Sequence, residues 1–344
     1  MKQTMKAIRI PLQPNSHLHF GDFKVDSNVA LSSTSYFAHS DTLFSALVNA
    51  YAKGVGNADD FVKSFSNGEI SISSLFYYLK KGEMIVYLLP KPVFLDLYSP
   101  RDGKHKLRNR VKFISNGVWT KGCAIADWDK KEKYMFIQNQ DILFTKEEVE
   151  LLGLTEKDTA FTIVDIPKSP IRKNDPKDSI YYQTDVETGN IKEVEIGFYF
   201  LYEAETSDEL ELKRAISLLA YSGIGGEKNN TGRTMSDPVF IEGFQLTPDE
   251  NPDMTAGFTN LSLLNPANDN ELANITFSQT LLRGGRKSGN GEYTVVRMIA
   301  EGALLATDDR MGRLVEIGID LDGNTAVRNG LAFIVPLTYL KTNE

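Results

Sequence analysis

An α+β fold is predicted by three observations. Two strand-then-helix units, residues 6–12 followed by 39–54 and residues 193–205 followed by 207–221, switch from alternating apolar positions to a three-to-four spacing. A further strand at 238–246 closes the second unit. An acidic stretch with two prolines, TPDENPDMT at 248–256, then separates this half from a second, strand-rich half.

The first strand, KAIRIPL, leads to the helix HSDTLFSALVNAYAKG. There Ser40 is placed to cap, Asp41 suits the positive end of the helix dipole, and Leu43, Leu47, Ala50 and Tyr51 share a face ended by Gly54. Between strand and helix runs an irregular segment with His17, His19 and Gly21, longer than a βα connection needs. His39 stands at the helix start, either contacting a ligand or assisting the cap. Four scattered histidines and one cysteine offer no zinc spacing, so no metal or other cofactor is expected.

In the middle third, MIVYLLPKPVFLDLYSP (84–100) is strand-like but punctuated by prolines. KHKLRNRVK follows with nearly perfect alternation. In an extended chain Lys104, Lys106, Arg108, Arg110 and Lys112 leave one face, while Leu107, Val111 and Phe113 leave the other. Five cations on one face, in a chain of net charge −8, favour a polyanion over a solvated edge strand. Trp119, Trp128, Tyr134 and Phe136 either stack on bases or fill a core.

The strand EVEIGFYFLYEAE (193–205) precedes the helix TSDELELKRAISLLAYS, where Thr206 and Glu209 have capping-box spacing and Leu212, Ala215, Ile216, Leu219 and Ala220 form one stripe. The run GIGGEKNNTGR (223–233) comes next. Its four glycines, Gly223, Gly225, Gly226 and Gly232, let backbone N–H groups converge on an anion, with Lys228 and Arg233 supplying charge. A helix-terminating loop is the other reading. A Walker or Rossmann loop is excluded, because those glycines follow a strand and open a helix. With the strand at 238–246, the order β-α-β-β-α-β is complete, the ferredoxin-like or RRM-like arrangement with a large insertion near 84–165. Further on, LRGGRKSGNGEY (282–293) sets Arg283, Arg286 and Lys287 around Gly284 and Gly285, as a phosphate loop or a basic hairpin turn.

The 344 residues suffice for two domains or for one with a large insertion, and 41% hydrophobic content fits a real core. The acidic balance excludes a generally basic nucleic-acid binder and leaves room for a local patch. The lone Cys123 makes no internal disulfide, no apolar run approaches the ~18 residues of a membrane span, and the start of the chain reads as no secretion signal. A cytoplasmic protein without membrane partners is expected.

HSDTLFSAL (39–47), LPKP (89–92), GIGGEKNNTGR (223–233), LRGG (282–285), EGALL (301–305) and VRNGLAFIVP (327–336) together, in this order, resemble the handle-binding RAMP subunit of type III-A CRISPR effector complexes, the fourth Csm subunit of the Cas-five-like group. Glu227 and the run Asn229-Asn230-Thr231 depart from that family's more basic, serine-rich loop, and Asn324-Thr325-Ala326 from its usual His-Pro-Val/Ile. The resemblance implies tandem ferredoxin-like RAMP domains, at 1–247 and 254–344, with a β-hairpin thumb in the insertion at about 84–165. It implies a non-catalytic subunit that binds the 5′ handle of the CRISPR RNA and caps the guide end. Its partners would be the large palm-domain signature subunit, an adjacent backbone RAMP subunit and target RNA near the guide 5′ end. RNA contacts are expected from His39, Ser40, Lys104, Lys106, Arg108, Arg110, Gly223, Gly225, Gly226, Lys228, Asn229, Gly232, Arg233, Arg283, Gly284, Gly285 and Arg286. Three rival classes are a repeat-processing RAMP endonuclease using His17, His19, His39 or Tyr51, a polymerising backbone subunit, and a small-molecule phosphate binder.

Overall fold

The computed structural model describes residues 5–21, 32–168, 181–225, 235–285, 287, 291–320 and 323–341. The first half opens with β1 (Met5–Pro11), β2 (His17–Leu18), α1 (Ser40–Gly54), α2 (Asp59–Asn67) and β3 (Ile70–Ile72). The hairpin β4 (Phe76–Lys81) and β5 (Met84–Pro90) leads through a 3-10 turn (Val93–Tyr98) into α3 (His105–Arg110) and β6 (Phe113–Ser115). α4 (Asn116–Thr120), β7 (Tyr134–Ile137), β8 (Ile142–Thr145) and α5 (Lys146–Leu152) follow. Then come β9 (Phe161–Lys168), β10 (Tyr181–Thr188), β11 (Glu195–Ala204), α6 (Thr206–Ser222) and β12 (Val239–Phe244).

One large sheet runs β12-β1-β11-β4-β5-β6-β8-β7, with β3 also beside β11. Its first four strands, with α1 crossing from β1 and α6 crossing from β11 to β12, realise the expected β-α-β-β-α-β order with antiparallel neighbours. Alternation decides which side chains meet the helices. Ile8, Ile10, Phe198 and Phe200 pack in one core with Leu43, Leu47, Leu212 and Ile216. Ala7, Tyr199 and Leu201 face the other way and share a second core with Trp119 and Trp128 of the insertion and Leu261, Phe333 and Val335 of the second half. The sheet is therefore apolar on both faces, and the two halves of the chain bury it jointly.

Both predicted caps differ in detail. The cap of α1 is His39, and that of α6 is Glu205, neither making a side-chain cap bond. Glu209 turns inward, accepting from Tyr202 (2.8 Å) and Lys6 (2.5 Å) and pairing with Lys213 (2.7 Å). Burial opposes its ionisation, yet these donors hold its carboxyl at about 2. A buried acceptor with three partners outcompetes a surface capping box.

The insertion joins the body for most of its length, since β6, β8 and β7 extend the main sheet beyond β5. The long hairpin of this region is instead β9–β10, which pairs from Thr188↔Phe161 to Tyr181↔Lys168 and meets β2 at its root. β9 is largely exposed. The second half holds β13 (Thr255–Asn260), the short α7 (Asp269–Ala273), β14 (Ile275–Phe277), β15 (Thr280–Arg283) and β16 (Val296–Ile299). It ends with β17 (Leu304–Leu305), β18 (Gly312–Ile319), β19 (Thr325–Leu331) and β20 (Ile334–Tyr339). These pair as β14-β17-β13-β20, β15-β16 and β18-β19. Trp119 Nε1 donates to Pro336 O (3.1 Å), tying insertion to second half.

Candidate nucleic-acid interface

The glycine run leaves α6 at the root of the exposed hairpin. Gly223, at the helix C-cap with φ +86°, donates its N–H to Leu219 O (2.7 Å). Gly225, at φ +73°, accepts from the N–H of His19 (2.5 Å). A Cβ there would lie 2.7 Å from Phe20 Cε1, so both conformation and space demand glycine. His19 in turn bonds through Nδ1 to Thr184 O of β10 (2.8 Å) and faces Asp185 at 3.6 Å. Burial would raise the Asp185 carboxyl, but hydrogen bonds from His19 and Gln183 hold it low. The opposite side of the hairpin root is held by Gln138, whose Oε1 accepts from the N–H groups of Ala160 (2.9 Å) and Phe161 (3.1 Å). Start of the glycine loop, residues 17–21 and hairpin thus form one hydrogen-bonded unit, with Tyr182 of β10 61% exposed on it. Gly226, Lys228, Asn229, Gly232, Arg233 and Arg286 lie outside the described residues.

His39, Ser40 and Arg283 are elsewhere and buried, where they join α1 to the second half. Asp41 accepts from Arg283 Nε and Nη2, each at 2.9 Å, and from Arg328 Nη1. Arg283 Nη2 also donates to Thr42 Oγ1 (2.8 Å). Burial alone would push the Asp41 carboxyl up, but the charges of Arg283 and Arg328 hold it well below the usual carboxylate range. Beside it, His39 Nδ1 donates to Glu301 (2.9 Å), which also accepts from Ser74 Oγ. Glu301 is held low against its burial, first by the charge of His39. Ser40 Oγ accepts from the N–H of Leu263 (3.0 Å). These side chains are fasteners between halves rather than an open RNA face. Gly284 O accepts from Arg328 Nη2 (3.1 Å) and Gly285 O from the N–H of Tyr293 (2.9 Å), as in a hairpin turn. Arg328 and Glu301 were not among the expected site residues, although both stand inside the VRNG and EGALL strings.

The extended cationic stripe is overturned. Residues 105–110 are helical, started by a turn in which Asp102 Oδ1 accepts from the N–H of Lys104 (2.8 Å). Arg108 is fully buried between Asp102 (2.6 Å) and Asp129 (3.4 Å). Lys104 pairs with Asp129 (2.7 Å), Lys112 with Asp141 (3.0 Å), and Arg110 lies 3.8 Å from Asp141. Lys106 is exposed and, among the described residues, in no ion pair. The alternation failed as a strand signal because burying Arg108 against two carboxylates demands a turn that an extended chain lacks. Trp119 and Trp128 are wholly buried, Tyr134 nearly so, and Phe136 is partly buried against the same core.

The four histidines do not converge. His17 lies 3.9 Å from Glu187, and His105 bonds to Asp102 O (2.8 Å). Among the described residues no group of three or more His, Cys, Asp or Glu could hold a metal, and no helix is long and apolar enough to cross a membrane.

No known family profile matches the chain. It is similar to the CRISPR system protein Csm4 of Methanocaldococcus jannaschii, 24% identical over 311 residues that span 82% of this chain and 79% of that protein. Its fold is similar to a chain of the Csm3-Csm4 subcomplex of the type III-A CRISPR-Cas interference complex, with a TM-score of 0.66 and 20% identity over 99% of this chain and 100% of the other. It is also similar to a chain of the Csm1-Csm4 cassette solved with cA4, with a TM-score of 0.55 and 19% identity over 96% and 97% of the two chains. The resemblance read from the ordered motifs is thus found again in sequence over 82% of the chain and in the fold.

Proposed function

We propose that this chain is the handle-binding, guide-capping subunit of a type III-A CRISPR effector complex, built as two RAMP lobes (1–247 and 254–344). The observation that carries the reading is the convergence of the start of the glycine run, Gly223 to Gly225, with residues 17–21 and the root of the β9–β10 hairpin, in a chain similar to Csm4 along most of its length. A glycine loop beside a projecting hairpin is what gripping a nucleic-acid backbone and separating its strands requires. The hairpin, rather than residues 104–112, is the thumb in this reading. The strand order β12-β1-β11-β4 supports the ferredoxin-like assignment of the first lobe. Glycine-loop cations hold handle phosphates, the exposed hairpin lies between guide and target, and the large signature subunit and a backbone RAMP subunit dock alongside.

The subunit binds without cutting. Metal-free RNA cleavage needs an acid and a base on either side of the attacking hydroxyl. Instead His39 is locked to Glu301 and His19 to β10. The test is incubation of the purified protein with a handle oligonucleotide and with full repeat RNA, with and without divalent metal. Handle binding with intact repeat is expected. Scission at one site, lost on changing His17, His19 or His39 to alanine, would make the chain the processing endonuclease instead.

A further inference from the structure

At the free edge of the main sheet, β7 and the turn after it wall a cavity of about 530 Å³, within the ~300–1,000 Å³ typical of ligand sites. Lys104, Lys131 and Lys146 line it, with Phe136, Asn139 and Gln140. The acids on its wall are Asp129 and Glu156. Asp129 is engaged by Lys104 and Arg108, and the hydrogen bond from Lys104 pulls its carboxyl down. Among the described residues Lys131 and Lys146 are in no ion pair, so two unpaired cations line the cavity against one acid, Glu156, that no cation engages. A second cavity of about 350 Å³ shares Asn139 and Glu156 with the first and reaches Tyr36, Phe161 and Ile163 at the hairpin root. The two adjoin at Asn139 and Glu156, so together they run as a groove from the hairpin root past the 138–141 turn to the sheet edge.

We infer that this groove holds single-stranded RNA, with a base against Phe136, its edge read by Asn139 and Gln140, and phosphates at Lys131 and Lys146. The inference rests on the RNA-binding reading above and extends it to a surface apart from the glycine loop. An acidic peptide would use the lysines but would leave the ring and the paired donor and acceptor groups of two amides unexplained. Aromatic stacking with flanking cations is how single strands are held along a groove.

The test compares a handle oligonucleotide with the same handle carrying a 3′ oligouridine tail, and with oligouridine alone, on the full chain. The tail is expected to raise affinity. Lys131→Ala with Lys146→Ala should abolish that gain and lower the slope of log affinity against log salt by about 1.4, at about 0.7 per phosphate of a single strand, while binding of the handle alone stays unchanged. Phe136→Leu should lower tail affinity about tenfold, and Glu156→Gln should raise it. A tail gain that survives both the double lysine variant and Phe136→Leu overturns the groove, as does a polyglutamate peptide that displaces the tail as well as RNA does. Should the unaltered protein fail to bind the handle, the handle reading falls. Oligouridine alone then still decides the groove, by whether its binding depends on Lys131 and Lys146.

Discussion

Replacing Asp41 by asparagine keeps the shape of the side chain and removes the one carboxylate shared by two buried guanidiniums. Arg283 and Arg328, with side chains 7% and 11% exposed, would each lose the charge of the Asp41 carboxylate. Breaking a buried pair in this way costs about 3–5 kcal/mol. With an unfolding entropy of ~2.1 cal/mol/K per residue over 344 residues, or ~0.7 kcal/mol/K, that is a fall in Tm of about 4–7 °C. Calorimetry at pH 7 measures it directly. Because Asp41 is depressed in the folded chain, its contribution is complete above the ordinary carboxylate range and fades as pH falls through the folded value. The gap between parent and variant should therefore shrink in acid. A shift under ~1 °C at neutral pH, or a gap that widens in acid, would refute the role of this cluster as a fastener between the halves.

Glu209, held at about 2, should make parent stability decline as pH drops from ~4.5 toward 2, and Glu209→Gln should flatten that decline in acid-unfolding curves. Gly225→Val should weaken handle binding in an anisotropy titration while leaving the circular dichroism of the body intact, since it strains a left-handed residue packed on Phe20. Arg108→Ala should destabilise by about 2–4 kcal/mol because it empties the site of a wholly buried side chain, whereas Lys106→Ala should stay within ~0.5 kcal/mol; urea unfolding separates the two.

Much of the first half was legible because its signals are local. The stripes of α1 and α6 and the alternation in β1 and β11 are set by which side chains must leave water, and the structure buries those residues. Charged residues were harder to place. His39, Ser40 and Arg283 look in sequence like any polar residues beside a helix start or a glycine pair, and only partners more than 200 positions away, Glu301 for His39, Leu263 for Ser40 and Asp41 for Arg283, draw them inside. Arg108 misled for a related reason, its burial being decided by Asp102 and Asp129 rather than by its neighbours' alternation. The hairpin root was invisible for a further reason: β2 has two residues, and its pairing with β10 spans most of the first half.

The ligand proposed for this chain is the 5′ handle of a CRISPR RNA. The most direct test is to purify the tagged chain from cells carrying a type III-A array and sequence the 5′ ends of the bound RNA. One repeat-derived 5′ end followed by many different spacer sequences is the predicted result. Scattered 5′ ends, or no RNA retained, would contradict it.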